Sequence, residues 1–267
     1  MVFMSNYDIS LRPIHYASVS GGDDSFYMLN LILNNQDKYP LDMVVHFDLA
    51  IDWDWSKRVV SFIEERCKKA GLRFIRIKPR HTWEELYEKY GFPTAHAKWC
   101  NLEYKLDCKK QLEAWIRSLN CRPVAYIGLC VDEPQRFKYT IGQTEGQDQI
   151  YPLAEEGICE SDVNLWARNQ PIFEDYYRYF RRQGCKMCPF LSMKEMAYLL
   201  KTEPDAFSYM FNCIKETEER ILREKGKVWK FRGVGADIIE QRVRTKWTSI
   251  LRMEENQLHI FDFISEV

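Results

Sequence analysis

Two adjacent glycines, set between a short apolar run and a longer one, constrain the fold of this chain more than any other feature. The run Ile14 to Val19 reads as a buried strand and Phe26 to Leu33 as a buried helix, joined through Ser18-Val19-Ser20-Gly21-Gly22-Asp23-Asp24-Ser25. Glycine has no Cβ, so main-chain N–H groups in such a joint can approach a ligand closely. The N-terminus of the following helix favours an anion at the same place. Ser20 and Ser25 add hydroxyl donors. No Gly-Lys-Ser/Thr follows, so the loop is not a Walker loop. The competing interpretation is an ordinary strand-turn-helix joint with Gly and Asp as turn formers.

Beyond the joint, residues 41–47 read as a second strand ending at Asp48, and residues 55–70 as a helix with Val59, Val60, Phe62 and Ile63 on its apolar stripe. Residues 72–77 form a third strand. Thr82-Trp83-Glu84-Glu85 is a capping box that opens a helix closed by Gly91. A helix over 109–119, a fourth strand over 124–130 and a short fifth strand over 150–153 follow. Strands alternating with helices predict an α/β fold, a doubly wound and mostly parallel sheet, with a helical C-terminal extension. The expected division is a nucleotide-binding α/β domain over 1–155 and a helical region over 156–267. In an open parallel sheet, ligands sit outside the carboxyl ends of the strands, where the first loop, Asp48 and the segment after Cys130 all lie.

Composition narrows the class. With 267 residues and 46% apolar side chains the chain can bury a large core, and a net charge of −1 gives no global attraction to nucleic acid. No run has the apolar length of a membrane span, and Met1 to Arg12 lack a signal-peptide pattern, so the expectation is a cytoplasmic protein without a membrane partner. Nine cysteines, unevenly spaced, point to metal or redox chemistry more than to a disulfide framework. Lys227, Lys230, Arg232, Arg242, Arg244, Lys246 and Arg252 lie among aromatics that include Trp229 and Trp247; they read either as a solvated face or as a track for a phosphate backbone.

Three further constellations carry chemistry. Asp48, with Asp52 and Asp54 nearby, closes the second strand; a carboxylate there can accept from a ribose hydroxyl or hold magnesium through water, or serve as helix-start acidity. Asp132-Glu133 with Arg136 can grip phosphate or sulfate through the guanidinium, or form an exposed turn with an ion pair. Cys185-Lys186-Met187-Cys188 places two thiolates on a turn, and Trp99-Cys100 and Cys108 lie upstream; four thiolates satisfy zinc or an iron-sulfur cluster. Cys67, Cys121, Cys159 and Cys213 read as core residues.

The octet resembles the PP-loop, Ser-x-Gly-Gly-x-Asp-Ser, of the adenine-nucleotide alpha-hydrolase superfamily. Trp99-Cys100 with Lys105, Gly128 to Arg136, Tyr151-Pro152-Leu153 and Gly184 to Pro189 follow in the order of its phosphoadenylylsulfate reductase-like family, which includes the DNA phosphorothioation sulfurtransferases. The resemblance implies binding of ATP or a PAPS-like nucleotide with Mg2+ by Ser18, Ser20, Gly21, Gly22, Asp23, Ser25, Asp48, Asp132 and Glu133. Asp24, Lys105 and Arg136 would take the catalytic positions. Cys100, Cys185 and Cys188 match the family's metal-binding positions, for a 4Fe-4S cluster or zinc, and Cys108 is the inferred fourth ligand. The reaction implied is adenylyl transfer, or sulfur transfer or reduction, with a nucleic-acid acceptor and a sulfur-donor protein as partners. A non-catalytic nucleotide-binding module with structural zinc is the alternative. Two departures matter. Asp23 stands where the family loop commonly has lysine, and no cysteine follows Cys213, so the nucleophile of assimilatory sulfate reduction is missing from the sequence.

Overall fold

The short runs of β-branched and aromatic residues become the strands. β1 (Pro13–Ser18), β2 (Met43–Phe47), β3 (Arg73–Ile77), β4 (Arg122–Tyr126) and β5 (Gln149–Ile150) form one sheet in the order β3-β2-β1-β4-β5. Every pairing is parallel, with Ala17 opposite Val44, His15 opposite Val124, Val45 opposite Ile75 and Ala125 opposite Gln149. The computed structural model describes residues 10–94, 97–137, 148–180 and 184–253. The middle of the polar stretch after Val131 and the chain end beyond 253 lie outside the described residues.

The helices are α1 (Asp23–Asn34), α2 (Asp54–Lys69), α3 (Trp83–Tyr90), α4 (Leu106–Ser118), α5 (Pro152–Glu155), α6 (Glu160–Arg168), α7 (Glu174–Tyr179), α8 (Met193–Thr202), α9 (Pro204–Lys225) and α10 (Ala236–Arg242). Among the described residues no helix is long and apolar enough to cross a membrane. Contacts divide the chain into two compact units, Met1–Arg80 with Asn101–Tyr177, and His81–Cys100 with Arg178–Val267. This division differs from the expected one at 155. The helices just past that point stay with the sheet because α6 packs on α1, and the helix capped by Thr82 joins the C-terminal helices.

In the first unit, strand order runs outward from β1 in both directions. Crossovers are right-handed, so this reversal places α1 and α2 on one face and α4 on the other. Leu112 and Ile116 of α4 close a core cluster with Tyr16, Met43, Val45 and Ala125, the residues that alternation turns to that face. The fifth strand is shorter than expected: Pro152 opens α5 where the sequence had suggested continued strand, since proline fits the first helical turn and withdraws a donor from the ladder.

In the second unit, α9 packs against α8 and α10. Thr217 of α9 accepts from the Phe92 N–H at 2.8 Å and donates to the Cys213 carbonyl at 2.7 Å, which fixes the exit of α3. The capping box read from the sequence, Thr82 with Glu85, is present, and a second joins Ser192 with Glu195.

Candidate functional site

The strand order reverses between β1 and β4 while every strand stays parallel, and at such a switch point an open sheet leaves a crevice outside the strands' carboxyl ends. After β1, Gly21 takes φ +78°, and a Cβ on it would lie 2.5 Å from Ser56 Oγ and 2.6 Å from the Ser56 carbonyl oxygen. Only glycine fits this turn. Ser56, in the first turn of α2, donates to the Ser20 carbonyl at 3.0 Å and holds the loop from outside. After β4, a Cβ on Gly128 would meet the Asp24 carbonyl oxygen at 3.1 Å and the Ser25 nitrogen at 3.3 Å. The exit of β4 therefore lies directly against the first turn of α1.

Hydroxyls shape the inside of the loop. The Ser20 N–H donates to Ser25 Oγ at 3.2 Å, the two hydroxyl oxygens are 3.4 Å apart, and Ser25 donates in turn to the Gly22 carbonyl at 3.0 Å. Gly22 caps α1 in an extended conformation without a side-chain bond of its own. A serine-lined turn at a helix N-terminus offers N–H and O–H donors to one anion.

The electrostatics centre on Asp24. Burial, followed by the charges of Asp23, Glu133 and Glu160, raises its carboxyl from 3.8 to about 7, and Arg136 opposes the shift. The buried Cys130 thiol donates to Asp24 Oδ1 at 3.9 Å; burial, followed by the charges of Asp24, Glu133, Asp132 and Glu160, pushes that thiol well above its ordinary value. Asp23 is itself buried, and it does not present its charge to the loop alone. Its Oδ1 accepts the Asp24 N–H at 3.0 Å, and its other oxygen accepts from the Tyr177 hydroxyl, which lies 3.1 Å from Asn164 Oδ1. The Arg168 guanidinium covers the Tyr177 ring at 4.6 Å.

A second pair lies beside the loop. His46 of β2 is 3% exposed; its Nδ1 is 2.9 Å from the Val19 carbonyl, and its Nε2 is 3.9 Å from Asp52 Oδ2. A carbonyl only accepts, so Nδ1 carries the proton. Burial lowers the His46 pKa and raises that of Asp52 to about 7. Neither His46 nor Tyr177 stands out in the sequence, because each acts through a partner distant along the chain.

The other expected residues are divided. Asp132 bonds the Glu160 N–H at 3.1 and 3.3 Å and so anchors the start of α6. Glu133 pairs with Arg136 and accepts the Cys130 N–H at 3.4 Å. The charge of Lys105 acts on Asp52, alongside that of Asp48. Ser18 ends β1.

No family model matches the sequence. Two uncharacterized proteins of Methanocaldococcus jannaschii are similar to it. One is 29% identical over 212 residues, covering 77% of this chain and 49% of the relative; the other is 26% identical over 239 residues, covering 87% and 47%. The chain thus spans about half the length of these curated relatives. Among solved structures it is similar to the phosphoadenylyl-sulfate reductase of Candida auris in a phosphate complex, at 15% identity over 65% of this chain and 81% of that one, TM-score 0.43. It is also similar to the U34-tRNA thiolase of Methanococcus maripaludis with its 4Fe-4S cluster, at 14% identity over 80% and 73%, TM-score 0.41.

The cysteines expected to bind metal are divided between the two units, Cys108 in the first and Cys100, Cys185 and Cys188 in the second. Cys108 is 0% exposed inside α4, its thiol directed at the Tyr104 carbonyl 3.9 Å away, and burial raises its pKa to about 12. A metal-binding thiol needs the opposite environment. Cys100, Cys185 and Cys188 belong to the second unit and are each partly exposed, with the Cys188 N–H donating to the Cys185 carbonyl at 3.2 Å. Among the described residues no three His, Cys, Asp or Glu side chains gather closely enough to hold a metal ion. Of the cysteines read as core, Cys67 and Cys213 are buried, whereas Cys121 and Cys159 are partly exposed.

Proposed function

We propose that the crevice between β1 and β4 binds the phosphates of an adenine nucleotide and that the protein catalyses adenylyl transfer from ATP, as the resemblance to PP-loop enzymes implies. The observation that supports this most is the contact of Gly128 with the first turn of α1, which builds the phosphate loop from both strands at the reversal of strand order. Gly22 and the first turn of α1 would bind the α-phosphate through their N–H groups, with the Ser20 and Ser25 hydroxyls orienting it. An acceptor atom attacks the α-phosphorus as its bond to the β-phosphate oxygen breaks, and pyrophosphate carries that electron pair away. A magnesium ion arriving with the triphosphate fits the carboxylates that crowd Asp24 and would supply charge neutralisation there. Arg136, whose charge acts on Asp24, would be the cation that follows the charge of the leaving group.

The nucleic-acid acceptor, the sulfur-donor protein and the sulfur-transfer or reductive step belong to the same reading, and they rest on the resemblance alone. Binding without turnover is a second reading, and Asp23 in the place of a lysine favours it. Pyrophosphate release from ATP, measured for the wild type and for Asp24→Ala, separates the two. Release that depends on Asp24 supports the enzyme; nucleotide binding with no release from either protein removes it.

A further inference from the structure

The second unit contains a cavity of about 460 Å3 that the nucleotide reading does not use. One wall is the turn after the Cys-x-x-Cys, with Phe190 and Leu191; the other is the segment Trp229 to Gly233 between α9 and α10. The second wall is built with care. Glu218 of α9 accepts the N–H groups of Phe231 at 2.7 Å and Ala236 at 2.9 Å through one oxygen, and holds Lys230 Nζ at 3.4 Å with the other. Arg232 sits in the left-handed region at φ +52° and donates to the Pro189 carbonyl at 3.1 Å and to that of Leu191, joining the two walls. A non-glycine residue stays in that region only where its surroundings over-determine it.

Chemistry at the rim selects the occupant. Phe190, which lines the cavity, is 41% exposed, and Val228 and Val234, on either side of the Trp229 to Gly233 wall in sequence, also face solvent. Lys98 Nζ lies 5.4 Å over the Phe190 ring. From Lys225 to Ala236 the chain carries Lys225, Lys227, Lys230 and Arg232 and no acidic residue, in a protein whose net charge is −1. A cavity of this size takes a ligand on the scale of one nucleotide. Aromatic faces interleaved with cations match a polymer of flat bases and phosphates whose bases are not already stacked in a duplex. We propose that this cavity binds single-stranded nucleic acid, seating one base against the Phe190 and Trp229 rings and its flanking phosphates against Lys98, Lys227 and Lys230. This site is independent of the nucleotide reading and stands if that reading fails.

The test is fluorescence anisotropy of a labelled single-stranded oligouridylate of about a dozen residues with the whole chain, without ATP. Saturable binding is expected, with log K falling against log salt at a slope of about −2, from three phosphates at roughly 0.7 each. Trp229→Ala and Phe190→Ala should each weaken binding about tenfold. Lys98→Gln and Lys227→Gln, both exposed and so safe for folding, should each reduce the slope by about 0.7. No binding would overturn the proposal, as would binding that none of the four variants alters. Equal affinity for a duplex of the same length, or for a polyglutamate peptide, would also overturn it.

Discussion

Asp24 takes up a proton on folding between pH 3.8 and about 7, because its folded pKa is raised above its ordinary value. Its contribution to stability is therefore complete at low pH and lost as pH rises through 7, where a charge must be kept in a buried and already negative place. Asp24→Asn should raise unfolding free energy at about pH 8 by roughly 1–2 kcal/mol and change it little at about pH 4, while abolishing pyrophosphate release. Denaturant unfolding at the two pH values checks the first half. Asp23 enters the same ledger of charge, since it is the largest single charge acting on Asp24. Asp23→Asn should tighten ATP binding several-fold and move the acid limb of the activity profile to lower pH. Tyr177→Phe removes a donor from the buried Asp23 carboxylate and should cost about 1–3 kcal/mol of stability, a loss that the double variant with Asp23→Asn recovers in part.

At the scale of elements, the two glycines that frame the crevice differ in what they tolerate. Gly21→Ala combines a left-handed backbone with a clash against main-chain oxygen, so poor expression or a loss above about 2 kcal/mol is expected. Gly128→Ala meets the Asp24 carbonyl at 3.1 Å, a contact that a small shift of α1 relieves. It should fold within about 1 kcal/mol of the wild type by thermal unfolding, and lose most of its nucleotide affinity. These joints were legible in the sequence because strand, glycine pair and helix are local patterns, and the first four strands and the capping box at Thr82 were legible for the same reason. The end of the fifth strand was not, because Tyr151-Pro152-Leu153 is apolar enough for either state and proline decides it. Tyr177 with Asp23, 154 residues apart, and His46 with the Val19 carbonyl, 27 residues apart, were illegible, since nothing local marks a side chain whose partner the fold brings to it.

For the molecule as a whole, the division into units explains why the sequence order of landmarks outran their placement. The segment carrying Trp83, Trp99 and Cys100 lies between strands of the sheet in sequence but packs within the second unit, where the Trp83 and Trp99 rings pack 4.8 Å apart at a tilt of 42°. Cys108 remains with the sheet, buried in α4. Cys108→Ala should therefore leave unchanged the iron, zinc and sulfide content of protein purified without oxygen; loss of metal in that variant would restore Cys108 as a ligand. The central claim is that the reversal of strand order between β1 and β4 is a nucleotide site. Calorimetric titration of ATP with magnesium into the wild type and Gly128→Ala tests it most directly. Saturable binding to the wild type, weakened at least tenfold in a variant of near-normal stability, is the predicted result. No binding at millimolar ATP, or equal binding by both proteins, would contradict it.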